Sequence, residues 1–103
     1  METTHRYREK LTAALYCLAV REGDVRERLR GAYRYLRMLS PSEIPVTHRE
    51  EIEAILQSCT RYGPVVGADN EVLRTSLEHT MKRIKKSTGR GIAEKIYRLA
   101  CEL

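Results

Sequence analysis

The sequence predicts an all-α fold, an antiparallel bundle of four to five helices with short loops, built as one domain over residues 1–103. Three observations lead there. Apolar residues recur at helical spacing along the chain, and no stretch shows the strict alternation of a half-buried strand. Capping residues open the periodic runs, and glycine or proline lies between them. With 103 residues and 42% apolar side chains, the chain is long enough for one core and too short for two domains.

The first helix is expected from about Thr4 to Glu22. Tyr7, Leu11, Ala14, Leu15 and Leu18 share a face, which Tyr16, Cys17 and Val20 widen. A positive start and the ten-residue stretch LTAALYCLAV give this region some likeness to a signal peptide. Glu9 interrupts the basic part, however, and no A-x-A pattern follows. Gly23 supplies a left-handed end. Asp24 caps the second helix, with Glu27 at capping-box spacing, and its core stripe is Val25, Leu29, Ala32, Tyr33, Leu36 and Leu39.

SPSEIP breaks this helix with two prolines. Thr47 and Glu50 form another capping box, so the third helix should start near His48. It would bury Ile52, Ile55, Leu56 and Cys59 and expose Glu50, Glu51 and Glu53. These acids have the charge to dock beside a basic stripe. Tyr62–Pro64 stops the helix, and VVGADN reads as a loop whose Asp69 or Asn70 caps the fourth. That helix would carry Val72, Leu73, Leu77, Met81 and Ile84 on its apolar face, with Arg74, Glu78 and Lys82 as an i, i+4 ladder. The last helix is expected from about Arg90 to Glu102, burying Ile92, Ile96, Leu99 and Leu103.

The core must be built without Phe or Trp. The six tyrosines are expected at its rim, where their hydroxyls reach water or a partner. Cys17, Cys59 and Cys101 are single and far apart, which argues against a disulfide frame or a zinc site. Cys17 and Cys59 fall on apolar faces, while Cys101 falls off its stripe. A reducing cytoplasmic setting is the simplest. No apolar stretch is long enough for a membrane span, and no membrane partner is expected.

The net charge is +5, from 14 Arg and 5 Lys against 14 acids. Arg26, Arg30, Arg34 and Arg37 follow spacings of four, four and three and fall on one narrow helix face. Only Glu27, at i−3 from Arg30, offsets them within the helix. Tyr33 and Tyr35 flank the stripe and are suited to stacking. Lys82, Lys85, Lys86 and Arg90 make a second patch. Cationic side chains of this density draw an acidic protein surface or nucleic acid.

Ser87-Thr88-Gly89-Arg90-Gly91 follows the second patch. It lacks the length and the lysine of a phosphate-binding P-loop, and no strand precedes it. Its glycines suit a hinge between two helices, with Gly89 at positive φ. The alternative is an anion seat on the next helix's first turn. His5 and His48 have no second ligand at metal spacing and read as surface histidines. No metal or cofactor is expected.

Arg74-Thr-Ser-Leu-Glu-His79 resembles the R-x4–6-H motif of HEPN nucleases, small all-helical RNA-cutting proteins. The resemblance implies phosphate-charge stabilisation by Arg74 and proton transfer at His79. Thr75 stands where that family usually carries Asn, Asp or His. More broadly, YREKL, RERLRGAYRYL and IAEKIYRL resemble segments of small bacterial all-helical proteins, which implies no activity. The residues thus point to a non-enzymatic helical module for a negatively charged partner. A metal-independent ribonuclease is the enzymatic alternative. A homodimer packed through the wide apolar first helix is the structural one.

Overall fold

The computed structural model describes residues 2–103, with side chains from His5 onward. About 70% of the chain is helical. The elements are α1 (Glu2–Val20), α2 (Val25–Leu36), a 3₁₀ turn (Pro41–Glu43), α3 (Val46–Cys59), strands β1 (Val65–Val66) and β2 (Val72–Arg74), α4 (Ser76–Arg83) and α5 (Lys86–Cys101). The molecule measures 48 × 26 × 19 Å. α1 lies along α2, α5 packs on α1, α2 and α3, and α4 packs on α2 and α3.

The α1–α2 corner follows the sequence closely. Gly23 has φ +94°, and a Cβ there would lie 2.8 Å from Glu27 Cβ. Glycine is needed at this position on both counts. Asp24 Oδ1 then accepts the Arg26 backbone N–H at 2.8 Å and caps α2. Leu29, Ala32 and Leu36 are fully buried beneath α1's Tyr7, Leu11 and Ala14, in one core with Ile52, Ile55 and Ile96. The helix α1 begins at Glu2, earlier than expected. The residues that would start a signal segment, Met1 through Thr4, fall outside the described side chains. Tyr16 and Val20 do not widen the buried face, being 67% and 54% exposed.

Three expected boundaries are wrong. The third helix starts at Val46 after Pro45, so Thr47 stands inside its first turn and forms no capping box with Glu50. The capping box in this region belongs instead to the 3₁₀ turn. There Glu43 Oε1 accepts the Ser40 N–H at 2.9 Å, and Glu43 also pairs with Arg6 Nε of α1 at 2.7 Å.

VVGADN and its flanks form a hairpin rather than a loop leading into a helix. β1 and β2 are antiparallel, with Val65 opposite Arg74, Val66 opposite Val72, and a bulge between Val65 and Val66. Gly67 N–H donates to Glu71 O at 2.8 Å, and Asn70 adopts φ +62° to close the turn. Neither Asp69 nor Asn70 caps a helix. Val72 and Leu73 are 60% and 59% exposed instead of lining a core stripe. The start of α4 belongs to Thr75. Its Oγ1 accepts Glu78 N–H at 3.2 Å, while Glu78 Oε1 accepts Thr75 N–H at 2.9 Å. The ladder from Arg74 through Glu78 to Lys82 is therefore absent, because Arg74 lies in β2.

The third correction falls on STGRG, which is not a hinge. The chain breaks earlier, at Ile84 and Lys85, both extended, and α5 begins at Lys86. Gly89 is helical and buried, without positive φ. A Cβ there would meet Val25 Cγ1 at 3.0 Å and Arg26 Cγ at 3.3 Å. Its missing side chain lets α5 come close to the start of α2. At the other end of α5, Leu103 is 38% exposed rather than buried.

Tyr7 also departs from expectation. It is fully buried, not at the rim, and its hydroxyl lies 2.8 Å from His48 Nδ1. His48 is buried rather than on the surface. Its Nε2 lies 2.9 Å from Glu102 Oε1. Tyr7 O–H donating to Nδ1 and Nε2–H donating to Glu102 satisfies both ring nitrogens of His48. Burial, with the Glu102 charge nearby, pushes the Tyr7 hydroxyl up to about 12. Cys17 and Cys59 are buried and Cys101 is exposed, all three as free thiols.

Candidate binding groove between α2 and α4

The arginine stripe of α2 forms one wall of a groove, and β2 with α4 forms the other. Two depressions, of about 500 and 580 Å³, meet end to end and share Arg30 and Glu78. The inner one is lined by Asp24, Arg26, Glu27 and Arg30 of the α2 side and by Leu73, Arg74, Met81 and Lys82 opposite. The outer one is lined by Tyr33, Arg34 and Arg37, and by Thr60, Thr75, Ser76 and Leu77. From Asp24 to Arg37 the α2 wall runs about 20 Å at 1.5 Å per residue.

Charge is not spread evenly along it. Arg26 is bound by Asp24, with Nη2 2.9 Å from Oδ2, and its Nη1 donates to Ile84 O at 3.0 Å. That forked contact is the main reason the Asp24 carboxyl is pulled down to about 2, helped by the Arg26 backbone N–H. Arg30 pairs with Glu27 at 3.0 Å and reaches Glu78 at 3.5 Å. The Glu78 carboxyl is held below its ordinary range by the Thr75 N–H first, and by Arg30 and Arg74 among the other causes. Arg34 and Arg37 are exposed and take part in no ion pair among the described residues. Arg74 and Lys82 of the inner half likewise take part in no ion pair among the described residues, so the carboxylates engage Arg26 and Arg30 while both ends of the groove keep unpaired cations.

The acids that meet the stripe are therefore Asp24, Glu27 and Glu78, not those of α3. Glu50, Glu51 and Glu53 are exposed and pair with none of the stripe, and Glu51 borders a recess with Lys95 and Arg98 instead. Of the two expected tyrosines, Tyr33 lines the groove and Tyr35 does not. Two residues apart on a helix, their side chains diverge by about 200°. Lys10 Nζ stands 5.8 Å from the Tyr35 ring centroid.

The second patch divides. Lys82 joins the stripe in the inner depression. Lys86 and Arg90 border a separate shallow recess with Leu18, Val25, Arg28 and Ala93. Lys85 is exposed at the start of α5 and lines none of these depressions. The anion seat considered at STGRG loses its loop, since Gly91 is an exposed helical residue with nothing within 4 Å of an added Cβ.

Arg74 and His79 do not share a helix. Arg74 lines the inner depression from β2, whereas the His79 ring lies against Tyr62 at 5.7 Å, outside both halves of the groove. Because a carbonyl only accepts, His79 Nδ1–H donates to Gly63 O, at 2.8 Å. Arg83 stacks on the other partner of that contact, with its guanidinium carbon 4.4 Å from the Tyr62 ring centroid, and Arg61 lies at 5.4 Å. Sequence spacing gave no warning of this Tyr62 cluster, whose members come from separate elements. Among the described residues no group of three His, Cys, Asp or Glu gathers to hold a metal, and no helix is long and apolar enough to cross a membrane. Compared with known proteins, the chain matches no family model, no curated protein and no solved structure.

Proposed function

We propose that this chain is a small, non-enzymatic helical binding module that engages a negatively charged partner through the α2–α4 groove. The observation that carries this is the gathering of six cationic side chains along one groove, Arg26, Arg30, Arg34, Arg37, Arg74 and Lys82, against three carboxylates. Among the described residues only Arg26 and Arg30 of these take part in ion pairs; Arg34 and Arg37 stand together at the outer end, and Arg74 and Lys82 at the inner. Arginine suits the task because its planar fork donates to carboxylate or phosphate oxygens in pairs. The supporting Thr75 and Ser76 hydroxyls add donors to the same half, while the Thr60 hydroxyl donates to Leu56 O. The five helices are read as an antiparallel bundle that holds these walls in register, and the free thiols favour a cytoplasmic setting.

The test uses two polyanions, poly-L-glutamate and a fluorescent oligouridylate, titrated at low and moderate salt. Arg34→Ala with Arg37→Ala should weaken whichever of them binds and flatten its salt dependence. Lys86→Ala with Arg90→Ala should have a much smaller effect. RNA incubated without metal should stay intact. Binding that ignores Arg34 and Arg37, or RNA cleavage that His79→Ala removes, would contradict the proposal.

A further inference from the structure

Gly91 lacks the structural reason that Gly89 has. Inside a helix glycine is less stable than alanine. At Gly89 the missing side chain lets α5 approach α2, whereas a Cβ added at Gly91 meets nothing within 4 Å. The Gly91 backbone is ordinary helix, without positive φ. Gly91 does border a cleft of about 220 Å³ that α5 forms with the end of α3. Thr88 and Lys95 line the same cleft, three residues before Gly91 and four after it, so the three positions share one helix face. A side chain at Gly91 would stand between those of Thr88 and Lys95, on the cleft side of α5. Ser58 and Arg61 supply the opposite wall, and the buried Ile84 and Ile92 complete the lining.

The polar part of this lining is two cations and two hydroxyls, with no carboxylate. Both halves of the α2–α4 groove, and the recesses at Lys86 and at Glu51, each include an acid. Arg61 and Lys95 take part in no ion pair among the described residues, although Lys95 also borders the recess of Glu51. An aromatic face rather than an acid braces Arg61, whose guanidinium carbon lies 5.4 Å from the Tyr62 ring centroid. The nearby Thr60 hydroxyl is committed to Leu56 O, but those of Ser58 and Thr88 bond to no group among the described residues.

We infer that the cleft between α5 and the end of α3 binds the phosphate group of a small molecule, free or as a monoester. This site is separate from the α2–α4 groove and does not depend on it. A phosphate carries nearly two negative charges and several acceptor oxygens. It matches two cations and two hydroxyl donors, where a carboxylate, with one charge and two oxygens, leaves part of the set unused. The Arg61 fork spans two oxygens, Lys95 acts as a point charge, and the Ser58 and Thr88 protons rotate to meet the rest. The volume is below the roughly 300–1,000 Å³ of pockets that enclose drug-sized ligands, so the ligand is small. Gly91 keeps the space between Thr88 and Lys95 open and lets the anion come close to the α5 backbone. The seat is thus along the side of α5 rather than in a loop at STGRG.

The experiment titrates the ¹⁵N-labelled full chain with inorganic phosphate, glycerol 3-phosphate and acetate at constant ionic strength and follows the amide shifts. Both phosphates should shift Ser58, Arg61, Thr88, Gly91 and Lys95 with saturation, and acetate should bind at least about tenfold more weakly. Tighter binding of glycerol 3-phosphate makes a monoester the source of the phosphate, and tighter binding of inorganic phosphate makes it the free ion; either order supports the site. Arg61→Gln and Lys95→Gln, both exposed changes, should each weaken phosphate about tenfold. Gly91→Ala should weaken it by a similar factor while raising Tm, which separates a blocked site from a damaged fold. Arg34→Ala with Arg37→Ala should leave it unchanged. No shifts in this cleft with either phosphate, acetate binding as tightly, or undiminished phosphate binding by Gly91→Ala or by both glutamine variants would overturn the proposal. So would a loss of these shifts on replacing Arg34 and Arg37, which would assign the phosphate to the groove.

Discussion

Gly89→Ala tests whether close approach of α5 to α2 is what the glycine serves. Two effects oppose each other. Alanine is about 1 kcal/mol better than glycine inside a helix, and Gly89 has ordinary helical backbone, so this gain applies in full. Against it, the new Cβ would stand 3.0 Å from Val25 Cγ1, 3.3 Å from Arg26 Cγ and 3.5 Å from Leu29 Cδ1. Carbon atoms prefer roughly 3.5–4.0 Å, so the first two contacts require movement. Val25 and Leu29 belong to the packed side of α2, and Arg26 is fixed by Asp24 and Ile84 O. Overpacking of this kind costs about 1–3 kcal/mol. The net expectation is a loss of about 1 kcal/mol, a fall in Tm of roughly 4–8 °C. Gly91→Ala supplies the control, because an added Cβ there meets nothing within 4 Å. It should gain up to about 1 kcal/mol and raise Tm. Thermal unfolding followed by circular dichroism reads both variants. If Gly89→Ala raises Tm as much as Gly91→Ala does, the close-approach reasoning is wrong.

Tyr7→Phe removes the hydroxyl that satisfies buried His48 Nδ1 and should cost about 1–2 kcal/mol in denaturant titration; an unchanged midpoint would mean that this hydrogen bond contributes nothing. The Asp24 cap should weaken in acid with a definite sign. Its folded value, about 2, lies below its ordinary 3.8, so its stabilisation is present above the unfolded value and is lost as pH falls from about 4 towards 2. Comparing Tm against pH for the wild type and Asp24→Asn should show the wild type's advantage shrinking across that window. Of the three thiols, only Cys101 should react with a thiol reagent in the native protein. Cys17 and Cys59 are buried, and burial also pushes the Cys59 thiol up to about 12; native labelling of two or more thiols would contradict the packing.

The helical content and the main stripes were legible because helical periodicity reports burial directly. Leu29, Ala32 and Leu36, like Ile92, Ile96 and Leu99, are buried where the spacing placed them. Gly23 and Asp24 were legible because each has a local backbone task. The hairpin was not, since Leu73 stands four residues from Leu77 and so mimics a helical stripe. The competing signals were the β-branched Val65, Val66 and Val72 and a turn closed by Asn70. At residues 40–50 two capping boxes compete, Ser40 with Glu43 and Thr47 with Glu50. Only the fold decides that the first forms and that Pro45 leads directly into α3. In the groove, the stripe on α2 could be read from spacing alone. The opposite wall could not, because Lys82, Arg74 and Glu78 arrive there through tertiary packing. The chain from buried Tyr7 and His48 out to exposed Glu102 joins residues from three helical regions, with no local signature at all.

The central claim is that a negatively charged partner is held at the outer half of the α2–α4 groove. Amide chemical-shift mapping, with ¹⁵N-labelled protein titrated with poly-L-glutamate at low salt, tests it most directly. Shifts should concentrate on Arg30 to Arg37 of α2 and on Thr75 to Leu77 at the start of α4, and should recede as salt is added. Shifts confined to Lys86 and Arg90 or to α1, or no shifts at any salt, would contradict it.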